Sequence, residues 1–370
     1  PLGTVGGYPS ERLAAVQQRA LALAESLATP PDGPLLRSLG IASLARGDFE
    51  AAQRAGEQLR AQADAADDDG VRAEAAYVLG IAAFWQGAFV EARSHFEAAV
   101  ACYRPEHRAI HLLRYRLDPQ VVCLSRLGNT LWFLGYPDAA VRACDAALAL
   151  ADEAGHPASR GTALVFAGLL AVDLRDEARL RQSAAALVAG RRDDEMRPNH
   201  FVTPAMEGYV EVLDGHAQAG IARIQRALAE SGGMDHAPGM RAGVVRVLLE
   251  ACAVAGDTRA GLATAEQALA LGGAARVWEA EIHRKRAEFL AAHGAPHDEI
   301  DAELTRALLI ARRQEARMLE LRAATSLLRH RSSRGGAAAR EARVLLAAIV
   351  DRFTEGRDTP DLRAATALLS

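Results

Sequence analysis

Residues 124–150 read LSRLGNTLWFLGYPDAAVRACDAALAL, two stretches of helical apolar spacing on either side of a short break. In the first, Leu127-Gly128 is followed three residues after the glycine by Leu131; in the second, Ala140, Cys144 and Ala147 mark one face. Gly135, Tyr136 and Pro137 stand between them as a turn. Gly128 and Ala140 lack bulk, so two antiparallel helices can approach closely there, while Leu124, Leu131 and Cys144 fill the seam. A hairpin of this kind cannot bury its own apolar face and requires neighbours.

The neighbours are present. Leu39-Gly40 is followed by Gly47, Phe49, Ala52 and Leu59, and Leu79-Gly80 by Gly87, Phe89, Ala92, Phe96 and Ala99. Leu-Gly, a bulky residue, a turn glycine, then Ala-x3-bulky and a further Ala is the spacing of a tetratricopeptide repeat. The repeat glycines fall 40 and 48 residues apart, above the usual period of about 34, so helices or connections are longer. Weaker copies follow at Gly168 with Leu187, at Gly208 with Gly215 and Ala227, and at Leu248 with Gly256, Gly261 and Ala268. Residues 279–309 and 319–350 each read as a further helical pair. The expected fold is an all-α, right-handed superhelix of helical hairpins.

The remaining segments fit that frame. Residues 1–8 read as irregular and residues 11–27 as an amphipathic helix, so residues 1–30 form a lead-in and cap and residues 31–370 the repeat array. Residues 103–119, YRPEHRAIHLLRYRLDP, form a basic insertion expected to project from one face. Further connectors are expected at 155–157, 190–199, 232–238, 272–273 and 332–336. A last amphipathic helix over 339–353 precedes a turn at Gly356 and a capping helix that begins near 358–361. A chain that opens without methionine reads as a fragment or a processed form.

Composition narrows the function classes. An apolar share of 50% supplies a continuous core, and a formal net charge of −4 with interspersed signs argues against a nucleic-acid surface. Lys285 is the only lysine. Cys102, Cys123, Cys144 and Cys252 form no C-x-x-C pair and read as buried small hydrophobes in a reducing compartment. With no signal peptide and no run of 18 apolar residues, a cytoplasmic location is expected; the most apolar stretch, residues 163–172, is closed by Asp173 and Arg175.

No catalytic signature is found. The chain lacks a phosphate-binding Gly-rich loop ending in Lys-Ser/Thr, a His-Glu-x-x-His and a Gly-x-Ser-x-Gly elbow. Asp67, Asp68 and Asp69 lack the alternating ligands and terminal glutamate of a calcium loop and read as a solvated connector. His283, His293 and His297 are divided by Gly294 and Pro296, and His107 and His111 have no third ligand nearby, so no metal and no cofactor is assigned.

Binding is the better reading. The first helix of each hairpin lines the concave face, which brings Tyr77, Ile81 and Trp85 inward from the second repeat. Arg126, Asn129, Trp132 and Phe133 follow from the third, and Tyr209 from the fifth. Tyr77, Trp85, Arg126, Asn129, Phe133 and Tyr209 are therefore the candidate groove for a peptide, a partner protein or a small-molecule effector. The competing reading is that such side chains pack against adjacent helices. Arg114, Arg116 and Arg126 have the chemistry to hold an anion, or to pair with carboxylates of the next repeat.

The stretch YRLDPQVVCLSRLGNTLWFLGYPDAAVRACDAALALADEAGHP resembles the tetratricopeptide region of large bacterial signalling ATPases. So do GGYPSERLAAVQQRALALAESL, ELTRALLIARRQEARMLELRAATSLLR and FTEGRDTPDL. In those proteins an AAA-like (STAND-type) ATPase is combined with a nucleotide cyclase, a LuxR-type or other DNA-binding domain, or a kinase. The resemblance implies a sensor arm that controls an upstream ATPase and its output domain; with no catalytic signature and a balanced charge, the arm is expected to be non-catalytic, without direct contact to nucleic acid or membrane. The alternative is a stand-alone scaffold holding two proteins together; a small-molecule-modifying enzyme is a third class.

Overall fold

The computed structural model of the chain describes residues 11–190, 202–230, 238–270 and 273–370. The irregular opening and most of the connectors expected at 190–199, 232–238 and 272–273 lie outside these residues. A lead-in helix, α1 (Glu11–Ser26), rests on the first of eight antiparallel hairpins among the described residues. The hairpins are α2 and α3 (Gly33–Arg46, Phe49–Ala66), α4 and α5 (Asp69–Trp85, Phe89–Cys102), and α7 and α8 (Pro119–Phe133, Pro137–Ala154). A short helix, α6 (Arg108–Tyr115), separates the second hairpin from the third. The array continues with α9 and α10 (Pro157–Leu174, Glu177–Ala189), α11 and α12 (Val202–Leu213, Ala217–Glu230), and α13 and α14 (Pro238–Ala255, Thr258–Ala270). It ends with α15 and α16 (Glu279–Ala292, His297–Arg313), α17 and α18 (Arg317–Ser332, Gly336–Val350), and a terminal α19 (Pro360–Leu369).

The two helices of a hairpin differ in burial. Second helices bury one stripe; α3 buries Ala52, Ala55, Gly56, Leu59 and Ala63 at three- and four-residue spacing. First helices are covered on nearly every side: α4 is buried at every position from Ala73 to Trp85. Where the two meet, small residues set the distance. A Cβ added at Gly128 would lie 2.5 Å from Cys144 Sγ and 2.9 Å from the Ala140 carbonyl oxygen, which is the close approach expected from the spacing.

Local signals place the breaks. Asp32, Asp48, Asp68 and Asp176 each accept a backbone N–H at a helix start. The run at 67–69 is thus a cap, with Asp68 Oδ1 taking the amides of Gly70 and Val71 at 2.9 and 3.1 Å. The turn inside a hairpin takes positive φ, as at Gly87 (+77°) and Gly135 (+89°), where an L side chain is strained. In the fourth hairpin Arg175 takes that position instead, at +55°. This explains why the fourth repeat is hard to see in the sequence: its turn glycine is missing.

The basic insertion folds back rather than projecting. His111 on α6 is buried, with Nδ1 2.9 Å from Glu74 Oε1, and Glu74 in turn holds Arg37 at 3.2 Å. Tyr103 and Tyr115 are buried beside it. The reason is chemical: a carboxylate buried on α4 needs partners, and the insertion delivers one.

The superhelix winds back onto itself. α2 touches α13, α4 touches the 3-10 turn Gly273–Trp278, and α7 touches α17. A hairpin therefore lies against the one five places further on. α9 is long and apolar enough to cross a membrane by composition alone, yet most of it is buried among these neighbours.

Candidate functional site

The six side chains expected to line a groove are all buried in the interior, some by adjacent hairpins and Trp85 and Phe133 by groups far along the chain. Tyr77 lies under the Arg37 guanidinium, 4.9 Å from its ring centre. Trp85 meets Phe84 edge-on at 5.1 Å, and Gly239 of α13 is pressed against it, leaving no room for a Cβ. Phe133 stacks on Phe89 at 4.1 Å and tilts against Trp278 at 4.7 Å. The Asn129 amide donates to the carbonyls of Ser125 and Phe166 at 3.2 and 3.1 Å, which ties α7 to α9. Tyr209 is buried on α11, and burial raises its hydroxyl above the ordinary range. The packing reading accounts for these positions, where a groove open to a ligand was expected.

Arg126 differs from the other five. Its guanidinium sits 4.0 Å from the Phe166 ring centre and 4.8 Å from that of Trp85. Nε and Nη1 are buried without a hydrogen-bond partner. Burial pushes its pKa down to about 10. Arg114 and Arg116 remain on the insertion, Arg116 closing α6 at a φ of +65°. Two further guanidiniums share the aromatic arrangement: Arg246 lies over Trp278 at 4.5 Å and Arg322 over Trp132 at 4.8 Å.

Arg246 and Arg322 lead into an ionic seam that the sequence reading missed. Arg246 Nη1 stands 3.0 Å from Asp173 Oδ1, and Arg322 Nη2 donates to the Asp173 carbonyl at 2.6 Å. Arg322 also holds Asp361 at 2.8 Å and Glu281 at 3.2 Å, while Arg284 holds Glu281 at 2.7 Å. Lys285, the lone lysine, grips Glu250 at 2.6 Å. These groups come from α9, α13, α15, α17 and α19, so one network joins hairpins that are distant in the chain.

Burial and pairing pull its acids apart. Burial drives the Asp173 carboxyl up to about 7, against the pull of Arg246 and Arg322. Burial also opposes ionisation of Glu250, but Lys285, Arg322 and Arg284 hold it down at about 2. Arg284 and Arg322 likewise keep Glu281 well below the usual carboxylate range, despite its burial. The arrangement holds charge in the interior; it brings no nucleophile to a general base. The histidines weighed as ligands find other neighbours: His283 Nδ1 is 2.7 Å from Glu303 Oε2, and the rings of His297 and His330 lie 5.0 Å apart.

The signal that could have exposed the seam was a charge on an otherwise apolar first helix. Asp173 on α9, and Arg246 and Glu250 on α13, are such exceptions. On α15 and α17 the signal is lost, because both helices carry many charges and only contacts tell which are buried.

No family profile and no curated protein matches the chain. Among solved structures, the human IFIT1 dimer with m7Gppp-AAAA is similar at 14% identity and a TM-score of 0.52, over 96% of this chain and 77% of that one. A tetratricopeptide repeat protein from Parabacteroides merdae is similar at 14% identity and a TM-score of 0.39, over 78% of this chain and 97% of that one. The chain has the tetratricopeptide-like solenoid fold.

Proposed function

We propose that the chain is the sensor arm of a cytoplasmic signalling ATPase, non-catalytic itself, whose curvature is set by a ligand or partner protein. The observation that carries this reading is the ionic seam between successive turns of the superhelix. Ion pairs in a poorly solvated seam are retained at little net gain over apolar packing. A charged ligand that replaces one member of a pair therefore shifts the balance between two curvatures. Small changes per hairpin then accumulate along the array to whatever domain adjoins it. The resemblance of residues 115–157 and 303–329 to the tetratricopeptide regions of signalling ATPases supports the same reading.

A peptide, a partner protein or a small effector fits better than a nucleic acid. IFIT1 is solved with m7Gppp-AAAA, but here Arg246, Arg284 and Arg322 are matched by carboxylates and the formal net charge is −4. The test is a thermal-shift screen of metabolites and peptides on this chain, followed by small-angle scattering of each hit. A hit that changes the radius of gyration is expected. Binding that leaves the shape unchanged would favour the alternative, a scaffold joining two proteins and sensing nothing.

A further inference from the structure

A small cleft of about 20 Å³ opens at the edge of the ionic seam, lined by Arg175, Arg284, Arg322, Ser326, Arg329 and Asp361. Four guanidiniums thus approach one space from three directions: the α9–α10 turn, α15 and α17. Two of them, Arg284 and Arg322, are engaged at all three nitrogens. Glu281, Glu288 and Ser326 hold Arg284, and Glu281, Asp361 and the Asp173 carbonyl hold Arg322. Arg175 has one ion-pair partner among the described residues, Asp361, at 3.2 Å, and its side chain is 39% exposed. Arg329 is exposed and makes no ion pair or hydrogen bond with any described residue.

The backbone points the same way. Arg175 occupies a left-handed turn position that the other hairpins give to glycine, among them Gly47, Gly135 and Gly256. An L residue there costs about 1–2 kcal/mol. Packing of the turn does not require a long cation, since glycine serves elsewhere. What the arginine adds is a guanidinium aimed at this cleft.

Asp361 is the one acid that lines the cleft, and it comes from α19, a terminal helix of ten residues. Its two oxygens reach Arg175 and Arg322, as an oxyanion ligand would. We infer that this cleft is a phosphate-binding site in which the Asp361 carboxylate stands in for the ligand. A tetrahedral oxyanion suits donors that converge from several elements better than one planar fork does. A phosphate would take Arg175 and Arg322 from Asp361, recruit the free Arg329, and loosen α19. This deepens the sensor reading by naming a ligand class. Binding at the cleft can fail while another ligand still changes the curvature, so the two proposals fall separately.

The test is calorimetric titration of the whole chain with inorganic phosphate and, in a second arm, glycerol phosphate, at ionic strength matched with chloride. Asp361→Asn should tighten binding about tenfold, and Arg329→Ala and Arg175→Ala should weaken it about tenfold each, as expected for one charge-assisted hydrogen bond. Binding seen only in Asp361→Asn also supports the site, because it shows the carboxylate acting as a plug. Binding of inorganic phosphate alone identifies the free ion as the ligand; binding of both admits a monoester. If neither wild type nor Asp361→Asn binds phosphate saturably, or if Arg329→Ala, made in whichever of the two binds, leaves the affinity unchanged, the inference is overturned. Arg329 is exposed, so that variant tests the site without threatening the fold.

Discussion

Asp173 is where burial and pairing oppose each other most directly, and its titration has a sign that can be checked. The unfolded carboxyl titrates near 3.8 and the folded one at about 7, so between those values the folded state holds a proton that the unfolded state lacks. Its contribution therefore favours folding as pH falls through 7 and levels off below the unfolded value. Asp173→Asn should remove that dependence, worth at most about 1.4 kcal/mol per pH unit in the window. Urea unfolding of variant and wild type at pH 5 and pH 8 checks it; a difference that does not change with pH would count against the raised value. Glu250 runs the other way, since its folded value of about 2 lies below the ordinary 4.5. The stability it supplies is present above 4.5 and lost as pH falls toward 2. Packing makes a separate prediction at Gly128. With Cys144 Sγ and a carbonyl oxygen inside 3 Å of the position a Cβ would take, Gly128→Ala should cost about 1–3 kcal/mol. An unchanged denaturation midpoint would mean that α7 and α8 cross elsewhere.

The helices themselves were largely legible, because each carries its own instructions. Asp32, Asp48 and Asp176 start helices, and Gly47 and Gly135 end them, through contacts within a few residues. The site was not legible, for a reason also visible in particular residues. Trp85 and Phe133 face inward as the repeat register requires, but what they meet is Gly239 and Trp278, far along the chain. No local spacing encodes that meeting. The same holds for α15, where Glu281, Arg284 and Lys285 look like an ordinary solvated face in the sequence and are all buried. Their burial leads to a prediction for the element as a whole. Glu281 holds both Arg284 and Arg322, so Glu281→Ala leaves two guanidiniums short of an acid in a dry seam. Breaking one side of a buried pair costs about 3–5 kcal/mol. Charge-neutral Glu281→Gln should recover less than half of the loss, read by equilibrium denaturation. Full recovery by glutamine would show that shape rather than charge holds α15 in place.

At the scale of the whole molecule, the question is how firmly one superhelical turn rests on the next. Part of that contact is made by the segment after α18. Glu355 accepts the Ala139 amide at 2.9 Å, the Gly356 amide donates to Asp138 at 3.0 Å, and Phe353 packs beside Gly135. These groups close on the start of α8, where the free N–H groups of a helix invite a carboxylate. These polar links, each worth about 0.5–1.5 kcal/mol, add to a contact that is also packed by Trp85 on Gly239 and Phe133 on Trp278. In a solenoid, stability is close to a sum of neighbour terms, so this polar segment should open before the hairpins unfold. Asp138→Ala combined with Glu355→Ala should raise the radius of gyration and speed amide exchange over residues 353–359, with helix content by circular dichroism unchanged. Helix loss in step with the expansion would instead make the two turns one cooperative unit. A charged ligand could then act on this array only by changing its stability, because no second curvature would be available to it.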